Sequence, residues 1–256
     1  MRYACLTALV FLLCCKQARA DIQPLMRGTL WWVVDKPECP WTKAELRAAV
    51  EAQRAVGFDL LWLLNTPALL RAAEASDQAE TRRDVLGWLF DVADEAGMRV
   101  IVDLPQGGWY GKTTADAMVA TMTDYARRCH ARYGRRRAFH GWYLNHEINP
   151  IAPENLAESA YWRDVWRRVT AACHETAPGS VVTISPFFLL DEARRRGFVY
   201  QTPEEYAAWW GETLKQTGID VLMLQDSGEH LASFTLEQRE PFWAATARAC
   251  RAAGAA

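Results

Sequence analysis

The sequence predicts an α/β fold, a (β/α) TIM barrel of which six βα units are readable, and three observations carry that prediction. Short runs that are apolar on both faces alternate in one rhythm with amphipathic stretches. Such runs read as buried parallel strands, and the stretches between them have the length of crossover helices. Polar or aromatic residues also gather just past the C-terminal end of nearly every run, and a barrel brings such ends to one rim. No GxGxxG or GxxxxGK[ST] turn follows any run, so a nucleotide-binding open sheet loses support.

Taken in order, the runs are residues 29–35, 59–65, 99–104, 139–144, 180–188 and 219–225. The helical stretches are 43–56, stopped by Gly57, 82–96, stopped by Gly97, then 115–133, 158–176, 203–217 and 236–253. A closed barrel of this type has eight strands. Strands seven and eight are not readable, so the expectation is a truncated barrel, or closure in another way or with another chain.

The composition sets further bounds. Of 256 residues, 50% are hydrophobic and 23% charged, with a net charge of −2, which excludes disorder, collagen-like repeats and a strongly basic nucleic-acid binder. Twelve Trp, eight Tyr and nine Phe suit either a large core or a surface that stacks on flat, partly apolar ligands. Arg2, the apolar run 4–15 and Ala18-Arg19-Ala20 read as a cleavable secretory signal over residues 1–20, leaving 21–256 as one barrel domain in a secreted or periplasmic protein. Lipid attachment at Cys14 or Cys15 is disfavoured by the bulky Leu12 and Leu13 before them. The apolar run is too short for a membrane anchor. Cleavage removes Arg2, Lys16 and Arg19 from the 29 basic residues and none of the 31 acids, leaving a mildly acidic chain with no electrostatic case for nucleic acid or anionic lipid. Cys39, Cys129, Cys173 and Cys250 lack metal-ligand spacing; a Cys129–Cys173 disulfide and four free thiols both remain open. Oligomeric state is not fixed, although an open barrel end exposes strand edges that invite pairing.

Two segments carry candidate chemistry. In 139–149, Glu147 lies just beyond the fourth run, flanked by Tyr143 and His146. Partial burial beside aromatic rings raises a carboxyl pKa and suits a general acid. The structural alternative is a helix cap, or a salt bridge to Arg135, Arg136 or Arg137. In 219–230, Gln225 and Asp226 end the sixth run, and Ser227-Gly228 makes a turn able to aim Glu229 or His230 inward; ordinary turn chemistry explains the same residues. Together these segments place two carboxylates on one rim, the minimum for glycoside hydrolysis.

Binding candidates sit at the other strand ends: Asp35, Asn65 and Phe187, with Trp31 from the Trp31-Trp32 pair, of which alternation turns one inward. Trp109 and Tyr110, after Gly107-Gly108, are the expected sugar platform. Trp88, Trp162, Trp166, Trp209, Trp210 and Trp243 fall on helices and read as core. Ser185 lacks a GxSxG elbow. His140, His146, Glu147, Asp226 and His230 have the atoms to hold a metal, but no HExxH or comparable pair exists, so neither metal nor other cofactor is expected.

The segments Gly141-Trp142-Tyr143-Leu144 with His146-Glu147, Ile184-Ser185-Pro186-Phe187, and Ile219-Asp220-Val221-Leu222 through Gln225-Asp226 carry a resemblance, and Gly57-Phe58-Asp59 and Asp103-Leu104 fit the same frame. Over about residues 29–254 the chain resembles a family of secreted bacterial barrels of uncharacterised function, related to the clan A glycoside hydrolases. The resemblance implies that Glu147, ending strand four, is the acid/base. The nucleophile glutamate of those hydrolases ends strand seven, for which no counterpart is readable; Asp226 or Glu229 would act as base in an inverting arrangement. The expected function is a secreted glycoside hydrolase acting on a poly- or oligosaccharide. The alternative is a non-catalytic carbohydrate-binding barrel, and a third reading is metal-assisted hydrolysis.

Overall fold

A computed structural model describes residues 27–77, 83–195, 197–225 and 234–256; the expected signal at 1–20 and the site candidates Asp226, Glu229 and His230 lie outside them. Six strands, β1 (Gly28–Trp32), β2 (Leu60–Leu64), β3 (Arg99–Asp103), β4 (Phe139–Leu144), β5 (Val181–Ile184) and β6 (Val221–Leu222), form one sheet in sequence order. Every pairing is parallel. The helices are α1 (Lys43–Ala55), α2 (Thr66–Ser76), α3 (Val85–Ala96), α4 (Ala115–Tyr133), α5 (Leu156–Thr176), α6 (Pro203–Thr217) and α7 (Leu236–Ala253).

Local chemistry sets these boundaries. Thr42, Thr202 and Thr235 each close a capping box, with Glu45, Glu205 and Gln238 returning the bond, and Gly97, Gly218 and Gly254 end helices in the left-handed conformation. The sequence pattern did not separate α2. Its N-cap is Asn65, itself left-handed at φ 71°; Pro67 lies in its first turn, and it buries Leu69, Leu70 and Ala73.

The sheet curls rather than lying open. The Trp62 indole on β2 donates to Thr183 Oγ1 on β5 at 3.3 Å, although two strands intervene. In a flat sheet those strands would stand about 14 Å apart. The concave face collects Leu60, Trp62, Leu64, Ile101, Tyr143, Val181 and Met223 in a core of their own. The convex face, with Leu61, Leu63, Val100, Val102, Trp142, Val182 and Ile184, packs under the helices. There Trp162, Trp166 and Trp210 stack in a row at centroid distances of 5.4 and 5.6 Å, so these helix-borne tryptophans are core. The architecture is an incomplete barrel of six units, and β1 and β6 are not paired with each other. On the inner face of β1 and the residues following it, Leu30, Trp32 and Val34 are consequently exposed.

Cys39, Cys129, Cys173 and Cys250 are free, Cys39 exposed and the others buried; burial pushes the Cys129 thiol up to about 12. Among the described residues no helix is long and apolar enough to cross a membrane.

Gly141 shows how tightly β4 and β5 approach. A Cβ there would lie 2.1 Å from the Val181 carbonyl oxygen, so the ladder would have to open. Gly141→Ala is expected to cost about 2–3 kcal/mol. A thermal melt should show a drop of roughly 4–10 °C; an unchanged melt would contradict this packing.

Candidate active site

The C-terminal ends of β1 to β4 border a cleft of about 420 Å³ lined by residues that include Trp32, Asn65, Arg71, Asp103, Gln106, Asn145 and Glu147. Asp103, at the end of β3, is its anchor. Its carboxylate accepts from the amides of Asn65 and Thr66 at 3.1 and 2.8 Å, from Thr66 Oγ1 at 2.6 Å and from Asn145 Nδ2 at 3.1 Å. Three elements are thereby tied together: the end of β2 with the start of α2, the end of β3, and the segment after β4. Burial raises the Asp103 pKa while these bonds pull it the other way.

Glu147 owes its position to a tight turn. The His146 amide donates to the Leu144 carbonyl at 2.8 Å, and the chain turns immediately after β4. His146 and Glu147 therefore part company. Glu147 is exposed and borders the cleft, where Gln225 Nε2 donates to its Oε1 at 3.2 Å and to the Ser185 carbonyl at 2.9 Å. The segments beyond β4, β5 and β6 are zipped behind it: the Phe187 amide donates to Ile148, the Gln225 amide to Pro186 and the Phe188 amide to Gln225. Two of the expected site residues, Glu147 and Gln225, thus meet across 78 positions of sequence.

The other expectations divide. Asn65 lines the cleft, but its side-chain amide is committed to the Val33 carbonyl at 2.9 Å. Tyr143 lies fully buried on the concave face, its hydroxyl without a hydrogen-bond partner among the described residues, and burial followed by the Glu147 charge holds that phenol well above its ordinary pKa, against the opposing pull of nearby Ser185. Phe187 is half-buried in the zipped segment. Asp35 is a correction: it is held by Arg83 Nη2 at 2.7 Å and the Trp41 amide at 2.9 Å, a structural ion pair outside the cleft lining. Trp31 is another, because it turns to the convex side and packs edge-on against Trp41 at 5.9 Å. Its neighbour Trp32, 68% exposed, is the tryptophan that faces the cleft. Trp109 and Tyr110 are 37% exposed each, but rest edge-on against Trp162 and Tyr161 and do not border this cleft. Glu147 itself is exposed, not partly buried beside aromatic rings as expected.

His146 is the clearest correction. It is fully buried, not at the rim, with Nε2 2.7 Å from the Gln106 carbonyl and Nδ1 accepting the Trp166 indole at 3.3 Å. That pair of partners fixes the neutral tautomer with the proton on Nε2. Burial lowers its pKa to about 4. The unfolded chain protonates near 6.5 and the folded chain does not, so stability is lost as pH falls from about 6.5 towards 4. Between pH 7 and 5 the loss should be about 2 kcal/mol, read by urea unfolding at the two pH values, and His146→Asn should flatten that slope. An equal slope in the variant would assign the pH dependence elsewhere. His140 sits at the opposite end of β4 from Glu147, 3.3 Å from Arg99, and among the described residues no group of three or more His, Cys, Asp or Glu gathers as a metal would require.

An incomplete (β/α) barrel with an open cleft on its C-terminal rim is the class that fold and site define. The chain belongs to the family described as domain of unknown function (DUF4434), which matches residues 26–255. No curated protein matches it. Among solved structures it is similar to a provisionally assigned alpha-L-fucosidase from Bacteroides thetaiotaomicron VPI-5482, with a TM-score of 0.67 and 16% identity over 92% of this chain and 74% of the other. It is also similar to an endocellulase from Pyrococcus horikoshii in complex with cellotetraose, with a TM-score of 0.55 and 12% identity over 92% and 74% of the two chains. At these identities the likeness is one of fold, and both neighbours are glycoside hydrolases by name.

Proposed function

We propose that this protein is a glycoside hydrolase acting on a poly- or oligosaccharide, with Glu147 as the proton donor to the leaving oxygen. One observation carries the reading: an exposed carboxylate just beyond β4 shares a cleft with an exposed tryptophan, Trp32. The indole offers a flat apolar face to a pyranose ring, and the carboxyl lies at the rim where barrel chemistry is done. Gln225 holds one carboxylate oxygen, leaving the other for the glycosidic oxygen. Asp226, next in sequence, is the base that would activate water in an inverting course. The signal-like residues 1–20 support action outside the cytoplasm.

The alternative, a barrel that binds carbohydrate without cleaving it, is favoured by one feature. Among the described residues, the only other carboxylate lining the cleft is Asp103, and its oxygens are occupied by four donors. Incubation of the purified protein with a panel of plant and microbial glycans, followed by reducing-end analysis, separates the two. Product release supports hydrolysis; glycan retention in affinity electrophoresis without product on any substrate supports the binding barrel.

A further inference from the structure

Resting on the carbohydrate reading above, we infer that the cleft selects glycans bearing a negative charge, a uronate carboxylate or a sulfate, and that Arg71 is the residue that selects them. Arg71 lies on α2, and among the described residues it is the only cationic one lining the cleft. It forms no ion pair with Glu147 or Asp103, the two acids of the same lining, and no hydrogen bond to any described residue. Elsewhere the arginines at sheet and helix surfaces are largely spent on acids, as in Arg83–Asp35, Arg132–Asp77 and Arg168–Asp164.

The placement has a chemical logic. Trp32 is on β1, Arg71 on α2 and Glu147 beyond β4, so stacking surface, cation and proton donor come from three separate elements around one hollow. A uronate presents an apolar ring face and, at the ring edge, a carboxylate. Stacking on an indole leaves that edge free to meet a guanidinium, whose paired N–H donors match a carboxylate or sulfate group. Most other polar groups of the lining are already committed: Asn65 and Asn145 direct their amides to Val33 and Asp103, and the first amides of α2 are taken by Asp103, which leaves the neutral Gln106 side chain beside Arg71's charge.

The test is calorimetric binding of matched pairs to the full-length protein. Oligogalacturonate is compared with its methyl ester, and a sulfated galactan oligosaccharide with its desulfated form. The acidic member of at least one pair should bind about five- to ten-fold more tightly than its neutral partner. Arg71→Ala should erase that ratio, Arg71→Lys should restore part of it, and added salt should weaken the acidic member alone. Which pair shows the effect tells uronate from sulfate. Equal binding of acidic and neutral members, or a preference that survives Arg71→Ala, overturns the inference and leaves the carbohydrate cleft standing. Absence of binding by every glycan, the neutral ones included, overturns both.

Discussion

Glutamine in place of Glu147 is expected to lower glycoside turnover by roughly a hundred- to ten-thousand-fold, the range that a positioned proton donor contributes. The substitution keeps shape and length, and removes only the proton that the leaving oxygen needs. Glu147 is exposed and makes one side-chain bond, to Gln225, so the fold should not notice. Melting temperature and glycan affinity should therefore stay near those of the parent while the rate collapses. A variant with full turnover would take Glu147 out of the chemistry, whatever else the cleft binds.

Asp103→Ala should act in the opposite way, through stability. It leaves the amides of Asn65 and Thr66, the Thr66 hydroxyl and the Asn145 amide without their acceptor, in a position where Asp103 is 2% exposed. Orphaned buried donors cost about 1–3 kcal/mol apiece, and partial entry of water from the cleft side brings the total to about 3–5 kcal/mol. A fall of roughly 10 °C in melting temperature is the expected reading. Asp103→Asn keeps one acceptor oxygen and removes a charge that burial disfavours, so it should cost about half as much. If alanine and asparagine cost the same small amount, the carboxylate is not the tie between α2 and the segment after β4.

Strand order, parallel sense and six of the seven described helices were legible in the sequence, because buried parallel strands and one-sided helices have different periods. α2 was not: its apolar positions Leu69, Leu70 and Ala73 follow directly on a strand end, and a one-helix-per-strand rhythm absorbs them into a loop. With α2 went Arg71, since a residue assigned to a loop gives no direction. Parity misled the choice between Trp31 and Trp32. Alternation says that the two point apart; only the packing of Trp31 on Trp41, from the loop after β1, says which one turns away from the cleft. Adjacency in sequence places His146 and Glu147 together at the rim, but the turn closed by His146 N and Leu144 O sends one into the helical layer and leaves the other outside. What sequence spacing did place was the meeting of the segments after β4 and β6, where Glu147 and Gln225 touch.

The most direct measurement is a crystal structure of Glu147→Gln soaked with an oligosaccharide that the parent protein cleaves or binds. The account predicts a sugar ring lying on Trp32, with a glycosidic oxygen within hydrogen-bond reach of the residue 147 side chain. A glycan lodged instead against Trp109 and Tyr110, with the space between Trp32 and residue 147 left to water, would contradict it.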